Sequence, residues 1–311
     1  MSVCPITLAA HTADGLFSPE GLRSLHPRLK QLNALPLTHE EQIIQARLRA
    51  EKMSIQGIQP KLSAKINLKT SCFDLTDTGG TFILKPNPTT FKDVPANEAL
   101  TMTMAKHLDI EVPPHGIIPD RDGSWVYVIK RFDRLPKQQK IHTEDFAQLT
   151  LASRDTKYDS SLEKVAQVIT DFCTFPAVER PQLALRLIFC FLTGNEDMHL
   201  KNFSLIRDPN DIVRLSPAYD LLNTTLVLEN AVEETALPIG GKKRNLSRRL
   251  WLHYLTERLM LSDQQTGTIL RQLTNALPEW RTLISHSYLP PKKQQSYLDL
   301  LEQRARVMGL I

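Results

Sequence analysis

Gly194-Asn195-Glu196-Asp197-Met198-His199-Leu200-Lys201-Asn202 decides how this chain is read. The stretch leaves a dense apolar run at 183–192 and enters two short β-prone runs, Phe203-Ser204-Leu205-Ile206 and Ile212-Val213-Arg214-Leu215. Between those runs lies Arg207-Asp208-Pro209-Asn210-Asp211, a loop of turn formers that predicts a hairpin, and Tyr219-Asp220 follows it. An Asp and an Asn five positions apart, then a second Asp beyond a hairpin, is the donor set that metal-assisted phosphoryl transfer needs. One carboxylate orients an attacking hydroxyl and takes its proton, while the Asn oxygen and the second carboxylate hold Mg²⁺, which prefers hard oxygen ligands. The competing reading is a helix end at which Asp197 and Asn202 only cap and turn the chain. Hairpin and second Asp together weigh against it.

Working outward, such a site needs a phosphate-binding cation on a strand-rich part. Lys85 ends the run Phe82-Ile83-Leu84-Lys85, and Glu98, in the helical stretch that follows Pro95, is placed to pair with it. Singly, each reads as an ordinary exposed residue, a solvated strand edge and a helix-surface acid. Their order carries the weight: strand Lys, helix Glu, then a candidate catalytic Asp about a hundred residues on. Upstream, Met53-Ser54-Ile55-Gln56-Gly57-Ile58-Gln59-Pro60-Lys61 occupies the place of a phosphate-covering loop but has one glycine instead of three. Gly57 serves equally as a positive-φ turn between helix and strand.

Strand-like and helix-like patterns are segregated along the chain, which predicts an α+β fold of two lobes. Runs at 63–68, 81–84 and 125–129 read as strands of one antiparallel sheet, and 96–108 as a helix among them. A helix at 39–52 opens with Thr38 as N-cap and Glu41 three residues later. Beyond Asp133, stretches 162–172, 182–192, 246–260, 264–277 and 292–308 carry apolar residues at helical spacing. The expected division is an N-terminal extension packed on the N-lobe at 1–53, an N-lobe with phosphate loop and hinge at 54–133, and a helical C-lobe at 134–311.

Composition narrows the class. With 311 residues, 41% hydrophobic and 23% charged, the chain has apolar material for one large or two modest cores and is not disordered. Lys and Arg number 38 against 34 Asp and Glu, a net +4, too balanced to announce nucleic-acid binding. Cys4, Cys72, Cys173 and Cys190 lie far apart and predict reduced thiols rather than a disulfide framework or zinc site. A basic signal n-region is lacking, and Arg186 interrupts the longest apolar run, so the expected location is cytoplasmic. Lys242, Lys243, Arg244, Arg248 and Arg249 read as a solvated basic loop before they read as a nucleic-acid contact. His142 and Glu144 read as a capped helix start and not as metal ligands, and the three tryptophans as core anchors.

Taken together, the Ser-Ile-Gln-Gly-x-Gln-Pro-Lys loop, Phe-Ile-Leu-Lys, the Asn-Glu pair, Lys-Arg-Phe-Asp-Arg at 130–134, Asp-Phe-x-Gln at 145–148, Gly-Asn-x-Asp-x-His-x-Lys-Asn and Pro-x-Tyr-Asp resemble the HipA-like serine/threonine kinases of bacterial toxin–antitoxin modules. The resemblance runs in order over about residues 50–225. It implies a two-lobed kinase-like fold that uses ATP and Mg²⁺, with Asp197 catalytic, Asn202 and Asp220 as metal ligands, and Lys85 as the phosphate lysine paired with Glu98. Gln56, Gly57, Ile58, Gln59, Pro60 and Lys61 would cover the phosphates. Lys130, Arg131 and Phe132 would form the adenine hinge, with His199, Lys201 and Tyr219 lining the pocket. Ser54 matches a serine that family members autophosphorylate, an inhibitory event because the added charge repels ATP phosphates from the loop. Only 53 residues precede Ser54, so the chain looks most like the shortened kinase HipT of tripartite modules. That likeness implies a HipS-like small protein supplying the missing N-terminal subdomain, a HipB-like DNA-binding antitoxin, and an aminoacyl-tRNA synthetase as substrate. Lys130 departs from the family, where an acidic residue is expected. Two other readings stand beside this one: a catalytically silent kinase-fold module in a repressor complex, and a small-molecule kinase.

Overall fold

The computed structural model describes residues 2–50, 59–135, 139–153, 156–228 and 232–311. Of the expected phosphate loop, Ser54, Gln56, Gly57 and Ile58 lie outside the described residues.

A short ribbon, β1 (Ser2–Val3) and β2 (Ala10–His11), and two helices, α1 (Pro19–Leu25) and α2 (His39–Ala50), precede the main sheet. Helix α2 starts as its capping box predicts: Thr38 N donates to Glu41 at 2.7 Å and Glu41 N donates to Thr38 Oγ1 at 3.2 Å. Five antiparallel strands follow, β3 (Leu62–Asn67), β4 (Cys72–Leu75), β5 (Phe82–Pro86), β6 (His115–Pro119) and β7 (Trp125–Lys130), in the order β4-β3-β5-β7-β6. Helix α3 (Val94–Lys106) lies in sequence between β5 and β6. Strand β8 (His142–Asp145) then leads into α4 (Phe146–Leu149), α5 (Leu162–Phe172) and α6 (Pro176–Leu192). Strands β9 (Ser204–Arg207) and β10 (Val213–Leu215) and helices α7 (Arg248–Glu257), α8 (Asp263–His286) and α9 (Pro291–Met308) complete the chain.

Period-two alternation in β7 divides the apolar interior. Val126 and Val128 join Leu62, Ala64, Phe82 and Leu84 in a core closed by Cys4, Ile6, Phe17 and Leu22 of the N-terminal segment. Tyr127 and Ile129 point the other way, into a larger core with α3 and the C-terminal helices. The helix α3 is buried nearly all round, which explains its weak amphipathic pattern. It is tied to the helical half by side chains: Asn97 Nδ2 donates to Asn223 O at 2.9 Å, Asn223 N returns a bond to Asn97 Oδ1 at 2.9 Å, and Trp280 Nε1 donates to Met104 O at 3.0 Å.

The expected hairpin at 203–215 forms, yet it belongs to a three-stranded sheet in the order β10-β9-β8. His142 and Glu144 thus sit on a strand and not at a helix start; Asp145, one residue on, caps α4 through a capping box with Gln148. Helices α6 and α8 run through Pro181 and Pro278, where the sequence predicts boundaries. Each proline forfeits one backbone bond, and surrounding packing carries the helix past it. All four cysteines are free thiols, and among the described residues no helix is long and apolar enough to cross a membrane.

Candidate active site

Lys85 lies near the end of β5 with its side chain 4% exposed, where an unpaired ammonium would be costly. It donates to Glu98 Oε1 of α3 at 2.5 Å and to Asp220 Oδ1, while Lys61 Nζ stands 3.8 Å from Asp220 Oδ2. The Lys85 ammonium also lies 5.4 Å from the centre of the Tyr127 ring. Burial by itself would discharge Lys85, but Asp220 and Glu98 hold its pKa above the ordinary lysine value. For Glu98 burial dominates and pushes the carboxyl up to about 7 against the pull of Lys85. Asp220 goes the other way: burial opposes ionisation, yet Lys61 and Lys85 keep it well below the usual carboxylate range. The backbone at Asp220 is left-handed, with φ 54°, a conformation Asp tolerates better than most non-glycine residues.

The segment after α6 is fixed by its own turn. Gly194 has φ 69°, and a Cβ there would meet Leu300 Cδ2 at 2.5 Å and Asn223 Oδ1 at 2.8 Å, so only glycine fits. Its carbonyl accepts from Thr224 N at 2.9 Å and from Thr225 Oγ1 at 3.2 Å, which stitches the loop to the residues just past Asp220. Glu196 accepts from Arg304 Nη2 of α9 and from Thr225 Oγ1, both at 2.8 Å. Next to it, the half-buried Asp197 has its carbonyl bonded by Asn202 Nδ2 at 2.7 Å and by His199 N at 2.8 Å. Its carboxylate Oδ1 accepts from the Tyr158 hydroxyl. The nearby His199 is buried, and burial lowers its pKa, with the charges of both Asp197 and Asp220 acting against that shift.

Several expected pocket residues converge. Phe132 and Tyr219 stack with ring centres 5.7 Å apart; the Tyr219 hydroxyl donates to Lys201 O at 3.0 Å, and Lys201 Nζ reaches Asp145 Oδ2 at 2.8 Å. At the expected hinge two backbone amides already have partners. Lys130 N donates to Pro114 O and Arg131 N to Thr81 O, both at 2.8 Å, so neither N–H is open to a base. Pro60 lies beside Lys61 at the start of β3, half-buried, and next to it Gln59 Nε2 is buried without a hydrogen-bond partner among the described residues. His199 Nδ1 is in the same state. Two orphaned buried donors among residues expected to meet a nucleotide are what a phosphate-bearing ligand would satisfy.

A divalent cation fits the donor set. Asn202 spends its nitrogen on the Asp197 carbonyl, which leaves Oδ1 without a hydrogen-bond partner among the described residues, and Asp220 is held ionised. Among the described residues no three His, Cys, Asp or Glu side chains gather as metal ligands. Two protein oxygens suit Mg²⁺, which takes its remaining ligands from phosphates and water. Sequence reasoning missed Lys157, Tyr158, Thr225 and Arg304. For Arg304 a signal existed: it lies on the same helical stripe as the buried Tyr297, Leu301 and Met308, an arginine where an apolar residue is expected. The other three reach the site through contacts with no local pattern.

Known proteins resemble this chain in sequence and in fold. Residues 53–281 match the family model described as the HipA-like C-terminal domain. A Sinorhizobium fredii protein named "Putative kinase Y4dM" is 35% identical over 70% of this chain and 55% of its own length. The serine/threonine-protein kinase toxin HipA of Shewanella oneidensis is 26% identical over 61% of the chain and 47% of its own length. The chain spans about half the length of these curated relatives. Among solved structures, a chain of the Shewanella oneidensis complex of HipA, HipB and operator DNA superposes with a TM-score of 0.67 at 22% identity, covering 98% of this chain and 77% of that one. The fold is therefore kinase-like and α+β, with a smaller sheet-bearing part and a larger helical part.

Proposed function

The chain belongs to the HipA-like family, and from that premise we propose that it is an ATP- and Mg²⁺-dependent serine/threonine protein kinase, the toxin of a bacterial toxin–antitoxin module. The observation that carries this reading is the meeting of Lys85 from the sheet, Glu98 from α3 and Asp220 from beyond the hairpin; Asp197, whose carbonyl Asn202 holds, would supply the base. Lys85 and Lys61 would neutralise phosphate oxygens, and the stacked Phe132 and Tyr219 would offer an aromatic face to the base. Asn202 and Asp220 would hold Mg²⁺, which when bound draws charge from the phosphates. Asp197 would orient the acceptor hydroxyl and take its proton as the acceptor oxygen bonds to the γ-phosphorus and the bridging oxygen leaves with ADP. His199 Nδ1 and Gln59 Nε2 would donate to phosphate oxygens.

Ser54 is the autophosphorylation site in this reading, and an aminoacyl-tRNA synthetase the cellular substrate, both on the strength of the sequence resemblance. A HipB-like DNA-binding antitoxin and a HipS-like small protein are the partners it entails. Phosphatase-treated protein incubated with ATP and Mg²⁺ tests it by site-resolved mass spectrometry. Phosphate on Ser54 in the unmutated chain, absent from Asp197→Asn and Lys85→Ala, is the expected result. Intact ATP binding with no phosphate on any residue would favour the silent module or a metabolite kinase.

A further inference from the structure

Tyr158 stands on a turn closed by Asp159 N donating to Thr156 O at 2.9 Å, and its hydroxyl donates to Oδ1 of Asp197. That is the position an acceptor hydroxyl takes against a general base. The neighbouring Lys157 seats the turn: its Nζ lies 2.7 Å from His199 Nε2 and 4.9 Å from the centre of the Tyr158 ring, and its carbonyl accepts from Leu200 N at 3.4 Å. The ring meets His199 edge-on with centres 5.0 Å apart. Burial and the adjoining Asp197 charge raise the pKa of the phenol, so at neutral pH it remains a donor. Yet Tyr158 is 39% exposed, unlike the sealed Tyr254 and Tyr297, so it leaves Asp197 without opening a core.

We propose that Tyr158 sets acceptor specificity: its hydroxyl occupies the acceptor place on Asp197, excludes water from it, and yields only to a substrate hydroxyl that arrives with binding energy of its own. A lone water would only exchange the phenol's hydrogen bond to Asp197 for one of its own, with no net gain over a phenol already tethered there, so it does not displace it. A docked protein substrate brings further contacts and does. Without the phenol, Asp197 would take the proton of a water whose oxygen bonds to the γ-phosphorus as the bridging oxygen leaves with ADP, and ATP would be hydrolysed to no purpose. This rests on the reading of Asp197 as the base.

Tyr158→Phe keeps the ring contacts and removes only the hydroxyl. The experiment measures ATP hydrolysis and phosphate incorporated into the chain, on the same samples of unmutated protein, Tyr158→Phe and Tyr158→Phe/Asp197→Asn, with ATP and Mg²⁺. In Tyr158→Phe the ratio of hydrolysis to transfer is expected to rise about tenfold, the worth of one hydrogen bond, and the double variant is expected to abolish both. Hydrolysis and transfer falling together would mean that Tyr158 only steadies Asp197, and no change in either would mean it has no part; both overturn the proposal while the kinase reading stands. Hydrolysis persisting in the double variant overturns it too, because water would not be acting through Asp197. Unmutated protein that binds ATP but neither hydrolyses nor transfers it brings down the kinase reading and this proposal together.

Discussion

Asp220 and Asp197 are two carboxylates of one site held in opposite ways. Asp220, itself in a left-handed conformation, faces Lys61 and Lys85, in a cluster where Lys85 and Glu98 are sealed from water. Asp197 accepts from a neutral phenol, and its loop is fixed through backbone and neutral side-chain bonds, with one ion pair on the adjacent Glu196. The first arrangement stores charge against charge, so removing a member strands another in a medium of low polarity. The second leaves a carboxylate whose partner can be exchanged. In the proposed mechanism Asp220 must stay ionised beside phosphates, which suits the first, and Asp197 must meet and release a hydroxyl, which suits the second.

Asp197→Asn should show the largest effect, a fall of about 10²–10⁴ in the rate of phosphoryl transfer with ATP affinity and melting temperature little changed. Initial rates of autophosphorylation, a nucleotide-binding titration and a thermal melt check it, and a lost fold would break the contrast. Lys85→Met should instead cost about 3–5 kcal/mol of stability, because Glu98 is left buried and unpaired. Adding Glu98→Gln should return part of that loss in urea melts, and additive losses would show that the pair is not coupled.

His115 offers a third case, a buried titratable group with no ionic partner. Burial depresses it to about 4 from an ordinary 6.5, with Pro113 O at 2.8 Å from Nδ1. The unfolded chain therefore takes up a proton before the folded one does. Its contribution is complete above pH 6.5 and is lost as pH falls towards 4, a drop of about 3 kcal/mol. Urea midpoints across that window should slope downward with acid, and less so in His115→Gln. The smallest effect is Thr225→Ala, which removes a hydroxyl bonded to Glu196 and should cost about 1 kcal/mol. Slower turnover with unchanged ATP affinity would place that cost in the Asp197 loop.

The helical half was legible because apolar residues recur at helical spacing, and the departures fall at Pro181 and Pro278, where tertiary packing overrides a local breaker. Strands β4, β6 and β8 were not read. His142-Thr143-Glu144-Asp145 has no apolar residue to alternate and is a strand only because its backbone pairs with β9. His115 to Pro119 hides between prolines and contains Gly116. In the candidate site, Lys85, Glu98, Asp197, Asn202 and Asp220 were picked out because the proposed phosphoryl transfer would fix their order along the chain; the structure joins Lys85 to Glu98 and Asp220, and Asn202 to Asp197. Tyr158 was not, since nothing in Lys157-Tyr158-Asp159 announces an acid 39 positions away.

The reciprocal bonds between Asn97 and Asn223 bear on motion. Glu98 sits one residue along α3 from that anchor, and α3 is bonded on one side to the residues just past Asp220 and packed on the other against Tyr127 and Ile129 of the sheet that carries Lys85. Lys85 is thus held by two carboxylates from two different elements, a bolt with two catches. A swing of α3 alone would break the Lys85–Glu98 pair and the Asn97–Asn223 bonds together, so the helix is fixed from both sides.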